Sequence, residues 1–337
     1  MNKIITKIKN FIKDPFFLRK WVSPYETRYK DYNQLSVRIV GSSRERGHVF
    51  KADCFMFVQD MYTGLIPYRE EDKYPVKIVP TDASKEKLIA EGISNRGYSS
   101  RLLHDSLRDF VETTAHVMFQ DGIALYEIVS KKNNDVLQEF SLVLMQPQCL
   151  FKFFGNYYQY VSWVEAKRSG TKVGIIKIPS EKVLRIEMPK VLGGKRGLRK
   201  TLKRLWQISK EIHPHFHMEA MEKGIDIGFD FNEYIRFKYL ETAKITKKFG
   251  WDQRQRTSNY LTEFNFMMDY IRHKRVDIIV RQSIINALNG AFNGKTLNLG
   301  VEIVVENFPT LEDVEEQQIK LKNGNITFME IYEALKL

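Results

Sequence analysis

Hydrophobic and polar positions along this chain alternate in patterns that predict helices on either side of a strand-rich block. Residues 83–119 show apolar side chains at helical spacing. The stripe consists of Leu102, Leu103, Leu107, Phe110, Val111 and Ala115. From 122 to 190 the pattern changes to short runs such as GIALYEIV, FSLVLM and VGIIKI, separated by the turn-forming KKNND, FGN and RSG. These runs predict an antiparallel, sheet-rich block.

The other segments extend this mixed pattern. Strand-like LSVRIV and YPVKIVP flank a predicted helix in HVFKADCFMFVQDMYTGL. Helices are predicted near 232–249 and 258–288, and a strand-like VEIVVENF then precedes two more helices. Thr327 and Glu330 have the spacing of a capping box that opens the last helix. With no internal repeat, the order of elements predicts an α+β architecture with helical protrusions.

The segment LGGKRGLRKTLKRLW, residues 192–206, predicts an amphipathic helix with a cationic face. Leu198, Leu202 and Leu205 fall on one stripe. The opposite arc carries Arg196, Arg199, Lys200, Lys203 and Arg204. The glycines lack the spacing of a phosphate-binding P-loop. The cationic face is therefore either a solvated surface or a contact with phosphates or an acidic protein surface.

Composition narrows the class of protein. The chain has 337 residues with 43% hydrophobic content, which supports a sizeable core. Two cysteines provide neither a disulfide framework nor a zinc site, so a reducing cytoplasm is expected. No uncharged apolar run is long enough to span a bilayer, and lysines interrupt the N-terminal segment where a signal peptide would be apolar. We expect a soluble or peripheral protein that is not secreted.

Charge is distributed unevenly. The net charge is +12, yet residues 301–337 contain eight acidic and three basic side chains, which leaves +17 on residues 1–300. A basic body and an acidic C-terminal segment favour a polyanionic partner or head-to-tail contact between subunits.

Three other patterns suggest alternative functions. His213, His215 and His217 alternate in IHPHFH, but no nearby cysteine or paired carboxylate completes a metal site. The triplets Glu165-Ala166-Lys167 and Glu71-Asp72-Lys73 resemble part of a metal-dependent nuclease core, in which a second carboxylate is also needed. The amphipathic segment 3–13 could lie on a membrane or dock on protein. We expect no metal, no cofactor and no enzymatic activity, and keep a metal-dependent nuclease using Glu165 and Lys167 as the alternative.

The C-terminal third contains three segments in a characteristic order: KITKKFGW, then SNYLTEFNFMMDYIRHKRVDIIVRQSIINALN, and then VEIVVENFPTLEDVEEQQIKLKNGNITFMEIYEAL. In this order the segments resemble the portal proteins of tailed bacteriophages. Upstream, QDGIALYEIV and IPSEKVLRIEMPKVLGGKRGLRKTLKRLW are similar to the portal wing and to the helix that leaves it. The similarity extends over roughly residues 110–337 and consists of the order of segments. It departs from the family at Gly194-Lys195-Arg196-Gly197, where portals usually have G-x-S-P.

The resemblance implies a portal-type fold with an α/β wing, a helical stem, a short clip and a small helical C-terminal crown. The implied divisions are a wing at 1–197, a first stem helix at 198–223, a short clip at 224–257, a long stem or channel helix with its loop at 258–295, a wing strand at 296–308 and a helical crown at 309–337. The implied channel candidates are Arg272, Lys274, Arg275 and Arg281 on the long helix and the loop from Asn289 to Lys295.

The function implied by the resemblance is structural. Portal subunits form a ring, twelve copies in the virion, at one capsid vertex through which double-stranded DNA is packaged and ejected. The implied partners are further copies of the chain, the major capsid protein, the large terminase subunit, a head-to-tail connector and non-specific duplex DNA, with no membrane. The implied location is the virion, and the host cytoplasm during assembly.

Overall fold

The computed structural model describes residues 22–24, 39–41, 52–68, 73–94, 102–134, 136–145, 150–161, 174–211, 231–254 and 262–335. The helices there are α1 Ala52–Tyr62, α2 Ala83–Ile93, α3 Leu103–Asp121, α4 Gly194–Glu211, α5 Phe231–Thr246, α6 Glu263–Phe292, α7 Leu311–Lys322 and α8 Phe328–Leu335. The strands are β1 Val22–Pro24, β2 Ile39–Gly41, β3 Val76–Val79, β4 Ile123–Asn133, β5 Val136–Met145, β6 Leu150–Phe153, β7 Asn156–Val161, β8 Gly174–Ile178, β9 Val183–Glu187 and β10 Glu302–Val305. Short 3-10 turns precede β9 and α4 and follow α5. The fold is mixed helix and sheet, which confirms the α+β prediction.

The strand-rich block predicted between 122 and 190 is confirmed as two antiparallel three-stranded sheets. One has the order β5-β4-β9 and the other β6-β7-β8. In β4 every residue from Ile123 to Val129 is buried, because the strand is central and is covered on both faces. Two further antiparallel pairs, β1 with β2 and β3 with β10, lie outside this block.

Helices cover the β5-β4-β9 sheet and form the main core with it. α3 leads directly into β4 through Gly122, and its buried Leu107, Phe110 and Val111 join the same cluster as Tyr126 of β4. The range 83–119 holds two described helices, α2 and α3, and residues 95–101 between them lie outside the described residues. Leu102 differs from the prediction: it is 65% exposed, because it precedes the first turn of α3 and does not belong to its apolar stripe.

α4 and α5 form an antiparallel helical hairpin. The end of α5 returns to the beginning of α4, where Lys248 Nζ donates a hydrogen bond to the carbonyl oxygen of Leu192 at 2.6 Å. α5 lies inside the range 224–257 that was expected to be a clip, and it packs against α4. The reason is its apolar side: Tyr239 is buried, and Ile245 packs against the main core.

The long helix α6 contributes to two cores. Its C-terminal half places Val280, Ile284 and Leu288 in the main cluster. Its N-terminal half places Met268 and Ile271 in a second cluster with α7 and α8. Apolar side chains therefore lie on several sides of α6. From the middle of the helix to its C-terminal end one narrow stripe remains exposed, formed by Arg275, Gln282, Asn286 and Gly290.

The C-terminal helices begin as the sequence predicted. Thr327 N–H and Oγ1 both donate to Glu330 Oε2, at 2.8 and 2.7 Å, and Glu330 N–H donates back to Thr327 Oγ1 at 3.3 Å. This reciprocal pair confirms the capping box and lowers the pKa of Glu330. α7 begins with an equivalent box between Thr310 and Asp313.

Gly250 allows the end of the helical hairpin to approach α6. Its φ is +64°, and a Cβ there would overlap the backbone carbonyl oxygen of Asp269 and the amide nitrogen of His273. We expect Gly250→Ala to destabilise the protein by about 3 kcal/mol or more, since neither backbone atom can move without bending α6. Thermal unfolding followed by circular dichroism measures the change.

Gly324→Ala is the matched control. Gly324 also has a positive φ, +69°, but a Cβ there would meet nothing within 4 Å. We therefore expect a cost of about 1 kcal/mol from the backbone conformation alone. Equal losses of stability in the two variants would show that the approach to α6 contributes nothing.

Candidate functional site

The α4 helix is held by one apolar stripe. Leu198, Leu202 and Leu205 are at most 1% exposed and recur at intervals of four and three residues, so they lie on one face and join the main core. The turn before the helix uses Gly193 and Gly194, both with positive φ. The stripe predicted from the sequence is therefore the buried face of α4.

The opposite face of α4 is cationic and exposed. It consists of Arg196, Arg199, Lys200, Lys203 and Arg204. Within the part of the chain that the structure describes, none of the five makes an ion pair. The only carboxylate in α4 is Glu211, in its final position. The face thus presents five cations to solvent with no neighbouring anion on the helix.

This arrangement costs stability. Arg196 and Lys200, Arg199 and Lys203, and Lys200 and Arg204 are like-charge pairs four residues apart, each destabilising by about 0.2–0.5 kcal/mol. Burial, followed by the nearby charges of Arg199 and Arg185, lowers the pKa of Lys195 at the start of the helix. A face kept cationic at this cost is suited to bind a polyanion.

α1 supports α4 and α5 from behind. The Cys54 Sγ–H donates to the carbonyl oxygen of Leu202 at 3.4 Å, and Asp53 forms an ion pair with Lys238 of α5 at 3.1 Å. Burial, followed by the charge of Asp53, raises the pKa of Cys54 to about 12. The thiol is therefore protonated and packs as a small apolar group.

Cations on α6 are paired within the chain. Arg272 pairs with Asp269, and Lys274 pairs with Asp277 at 3.5 Å. Arg275 lies 3.6 Å from Glu315 of α7. α6 therefore offers weaker polyanion contacts than α4, where the charges are uncompensated.

Arg281 and Asn289 are used inside the chain. Arg281 is 3% exposed, donates to the carbonyl oxygens of Leu65 at 3.2 Å and Pro309 at 3.4 Å, and lies 4.1 Å above the ring of Phe308. Burial lowers its pKa to about 10. Asn289 lies within α6, and not in a loop.

The Asn289 amide donates to the carbonyl oxygen of Ile303 at 3.0 Å and accepts from the Ile303 amide at 2.8 Å. The Arg281 and Asn289 side chains thus join α6 to Leu65 after α1, to Pro309 before α7 and to Ile303 in β10. Arg281 and Asn289 both fall at the helical spacing of the buried apolar residues of α6. This spacing was the signal in the sequence that their side chains face the protein interior. Lys295, in the turn after α6, is exposed.

Sequence reasoning missed a cleft of about 380 Å³ between α1, the Gly250 turn and α6, with both polar and aromatic lining residues. Arg254 Nη2 and Nε donate to Asp60 Oδ1 at 2.7 and 2.9 Å, and Trp251 Nε1 donates to Asp60 Oδ2 at 2.8 Å. Both oxygens of Asp60 are therefore engaged, which suits a clasp between α1 and the turn better than a catalytic carboxylate. No short-range pattern connects residues so far apart in sequence.

Apart from Lys73, the residues of the alternative functions lie outside the described residues. These are residues 3–13, Glu71, Asp72, Glu165, Lys167, His213, His215 and His217. Among the described residues, no three His, Cys, Asp or Glu side chains cluster closely enough to hold a metal ion. No helix within the described ranges has the length and apolar character needed to cross a membrane.

Substituting Lys200 tests whether repulsion between the cations of α4 lowers the stability of the protein. Lys200→Glu converts two like-charge pairs, with Arg196 and Arg204, into opposite-charge pairs. We expect the free energy of unfolding to rise by about 1 kcal/mol at low salt and by less at high salt, because salt screens surface charges. Urea unfolding at two salt concentrations measures this, and no gain at low salt would contradict the self-repulsion.

Substitution of the buried Arg281 should destabilise the protein more than substitution of the exposed Arg275. Arg281→Ala removes the donor to two carbonyl oxygens and leaves a buried cavity, so we expect a loss of about 3 kcal/mol. Arg275→Ala, at a side chain 44% exposed, should change stability by less than about 0.5 kcal/mol. Urea unfolding of both variants makes the comparison, and similar values would argue against the structural role of Arg281.

Comparison with known proteins assigns no family to this chain. Neither a scan against protein-family models nor a search of curated proteins found a match. The function has to be inferred from the arrangement of the chain's own residues.

Proposed function

We propose that the chain is a structural portal subunit that forms a ring at one capsid vertex and conducts double-stranded DNA. The observation that carries this proposal is the exposed, unpaired cationic face of α4. From Arg196 to Arg204 it extends along about 12 Å of helix. Duplex DNA presents one charge for every 1.7 Å or so of its axis, so a face of this length matches several phosphates.

The type of contact fits a conduit. Arginine and lysine on a helix face bind phosphates without reading bases, so the contacts are independent of sequence and sensitive to salt. DNA moving through a ring needs contacts of this kind, since tight base-specific bonds would stop it. A ring also repeats one face many times, so each copy can contribute weakly.

The order of elements supports the same proposal. The sheets would belong to the wing, and the α4–α5 hairpin to the stem. The clip expected at 224–257 would then exclude α5, Phe231–Thr246. α7 and α8, which pack on the first half of α6 in a cluster of their own, would form the crown.

Ring assembly needs two different surfaces on each subunit, because a cyclic interface with more than two copies is heterologous. The cationic face of α4 is one candidate. The exposed Glu312, Glu315 and Glu316 of α7 belong to an acidic segment that is another. In this proposal the terminase and head-to-tail connectors bind at the clip, and the major capsid protein binds the wing.

Negative-stain microscopy with mass photometry, at low and high salt, tests ring formation. We expect rings with a central hole wide enough for duplex DNA. A chain that remains monomeric at every protein and salt concentration would contradict the proposal.

Duplex binding tests the cationic face separately. We expect Arg199→Gln/Lys203→Gln to weaken binding to unrelated duplex sequences to the same degree. The slope of log affinity against log salt should fall by about 0.9 for each phosphate that the variant no longer neutralises. Lys87→Gln, an exposed lysine on α2, is the control and should bind as the parent protein does. Unchanged affinity in the double variant would remove α4 as a DNA-binding surface and leave it for contact between subunits.

A further inference from the structure

The β6-β7-β8 sheet has one buried face and one exposed aromatic face. On the buried side, Tyr157 and Ile178 pack against Ile123 and Leu125 of β4. Side chains alternate between the two faces of a strand, so the neighbouring positions point away from the core. We call this outer side the aromatic face; it is formed by Phe151, Phe153, Tyr158, Ile175 and Lys177.

Register brings these side chains into rows. Phe151 of β6 pairs with Tyr158 of β7, which pairs with Lys177 of β8. The rings of Phe151 and Tyr158 stack, with centroids 5.5 Å apart and planes 16° from parallel. Phe153 follows two residues after Phe151, about 7 Å further along the strand.

The aromatic face is open to solvent. Phe151 is 43% exposed, Phe153 is 58% exposed, and Phe154 at the hairpin turn is 85% exposed. Phe154 also has a φ of +43°, which is disfavoured for a bulky residue. Its ring meets Phe153 edge to face. Adjacent exposed aromatic rings are unfavourable in water, so this hairpin is suited to contact a ligand.

Charge indicates the kind of ligand. The described residues of this sheet, 150–161 and 174–178, contain Lys152 and Lys177 and no carboxylate. Burying Lys177 under an apolar protein surface would leave its charge without a partner. An anionic ligand with flat apolar faces satisfies both the rings and the lysine.

We propose that the aromatic face binds single-stranded nucleic acid. Bases would stack on Phe151, Phe153 and Tyr158, and Lys177 would contact a phosphate. Spacing of about 7 Å between successive rings on a strand suits an extended single strand. A duplex keeps its base faces stacked inside, so it cannot use this surface in the same way.

This activity goes beyond conducting duplex DNA and does not depend on ring formation. It uses rings on β6 and β7, whereas the duplex contact proposed above uses cations on α4. Stacking is also less sensitive to salt than phosphate contact is. The two proposals can therefore fail separately.

Fluorescence anisotropy with labelled oligo-dT, oligo-U and duplex DNA of about 16 nucleotides per strand tests the proposal. For Phe151→Ala/Phe153→Ala we expect single-strand affinity to fall by about 10-fold or more, with duplex affinity unchanged. Phe151→Tyr/Phe153→Tyr should keep most of the single-strand affinity, because tyrosine also stacks. Circular dichroism checks that each variant folds.

Phe237→Ala is the matched control. Phe237 is 53% exposed on α5, a helix that packs against α4, so its removal should leave single-strand binding unchanged. Lys200→Glu should show the reverse pattern, weakening duplex binding more than single-strand binding.

Two results would overturn the proposal: no single-strand binding by the parent protein, or equal binding by the parent protein and Phe151→Ala/Phe153→Ala. If the double variant instead loses ring formation while nucleic-acid binding is unchanged, the aromatic face is an interface between copies. None of these results would contradict the separate proposals that the parent protein binds duplex DNA and forms rings.

Discussion

Burial of α6 on more than one side is the constraint on which the rest of this structure depends. The C-terminal half of the helix packs in the main core with the β5-β4-β9 sheet, and the N-terminal half packs against α7 and α8. A polar group on the buried sides of this helix must find partners inside the protein, because water cannot reach it there. Arg281 and Asn289 do so by binding backbone groups of the segments around α7 and β10. These bonds fix the C-terminal segment to the rest of the chain.

The helical hairpin is fixed to α6 at its base. Gly250 brings the backbone of the turn against α6, Lys248 connects the end of α5 to the start of α4, and the Asp60–Arg254 clasp fixes the turn to α1. The apolar stripe of α4 is consequently committed to the core along the described part of the helix. Its other face has to be solvent-exposed, and it is there that the five cations lie. The destabilisation from like-charge repulsion on that face is small compared with the free energy gained by burying three leucines, so α4 remains folded.

Much of the fold could be predicted from the sequence. The strand-rich block, α4 with its two faces, α5, α6 and the capping box of α8 all follow from local periodicity and turn residues, since these signals act over a few neighbouring positions. Boundaries were less accurate: α6 was predicted to end near 288 but continues to Phe292, which places Asn289 in a helix. The arrangement of α5 against α4 was not predicted either, because helix packing depends on contacts between distant residues.

The sequence by itself determined where charge is available. With five cations opposite the leucines and its only carboxylate in the last position, α4 has a basic face in any fold that buries Leu198, Leu202 and Leu205. The spacing of three residues along α6 already favours the pairs Arg272–Asp269 and Lys274–Asp277, whereas only the tertiary structure decided that Arg275 lies near Glu315 of another helix. It also decided which face of the β6-β7-β8 sheet is open, since alternation shows that a strand has two faces but not which one packs on a neighbouring sheet. Periodicity is local information, whereas burial and ion pairing are set by what the rest of the chain brings close.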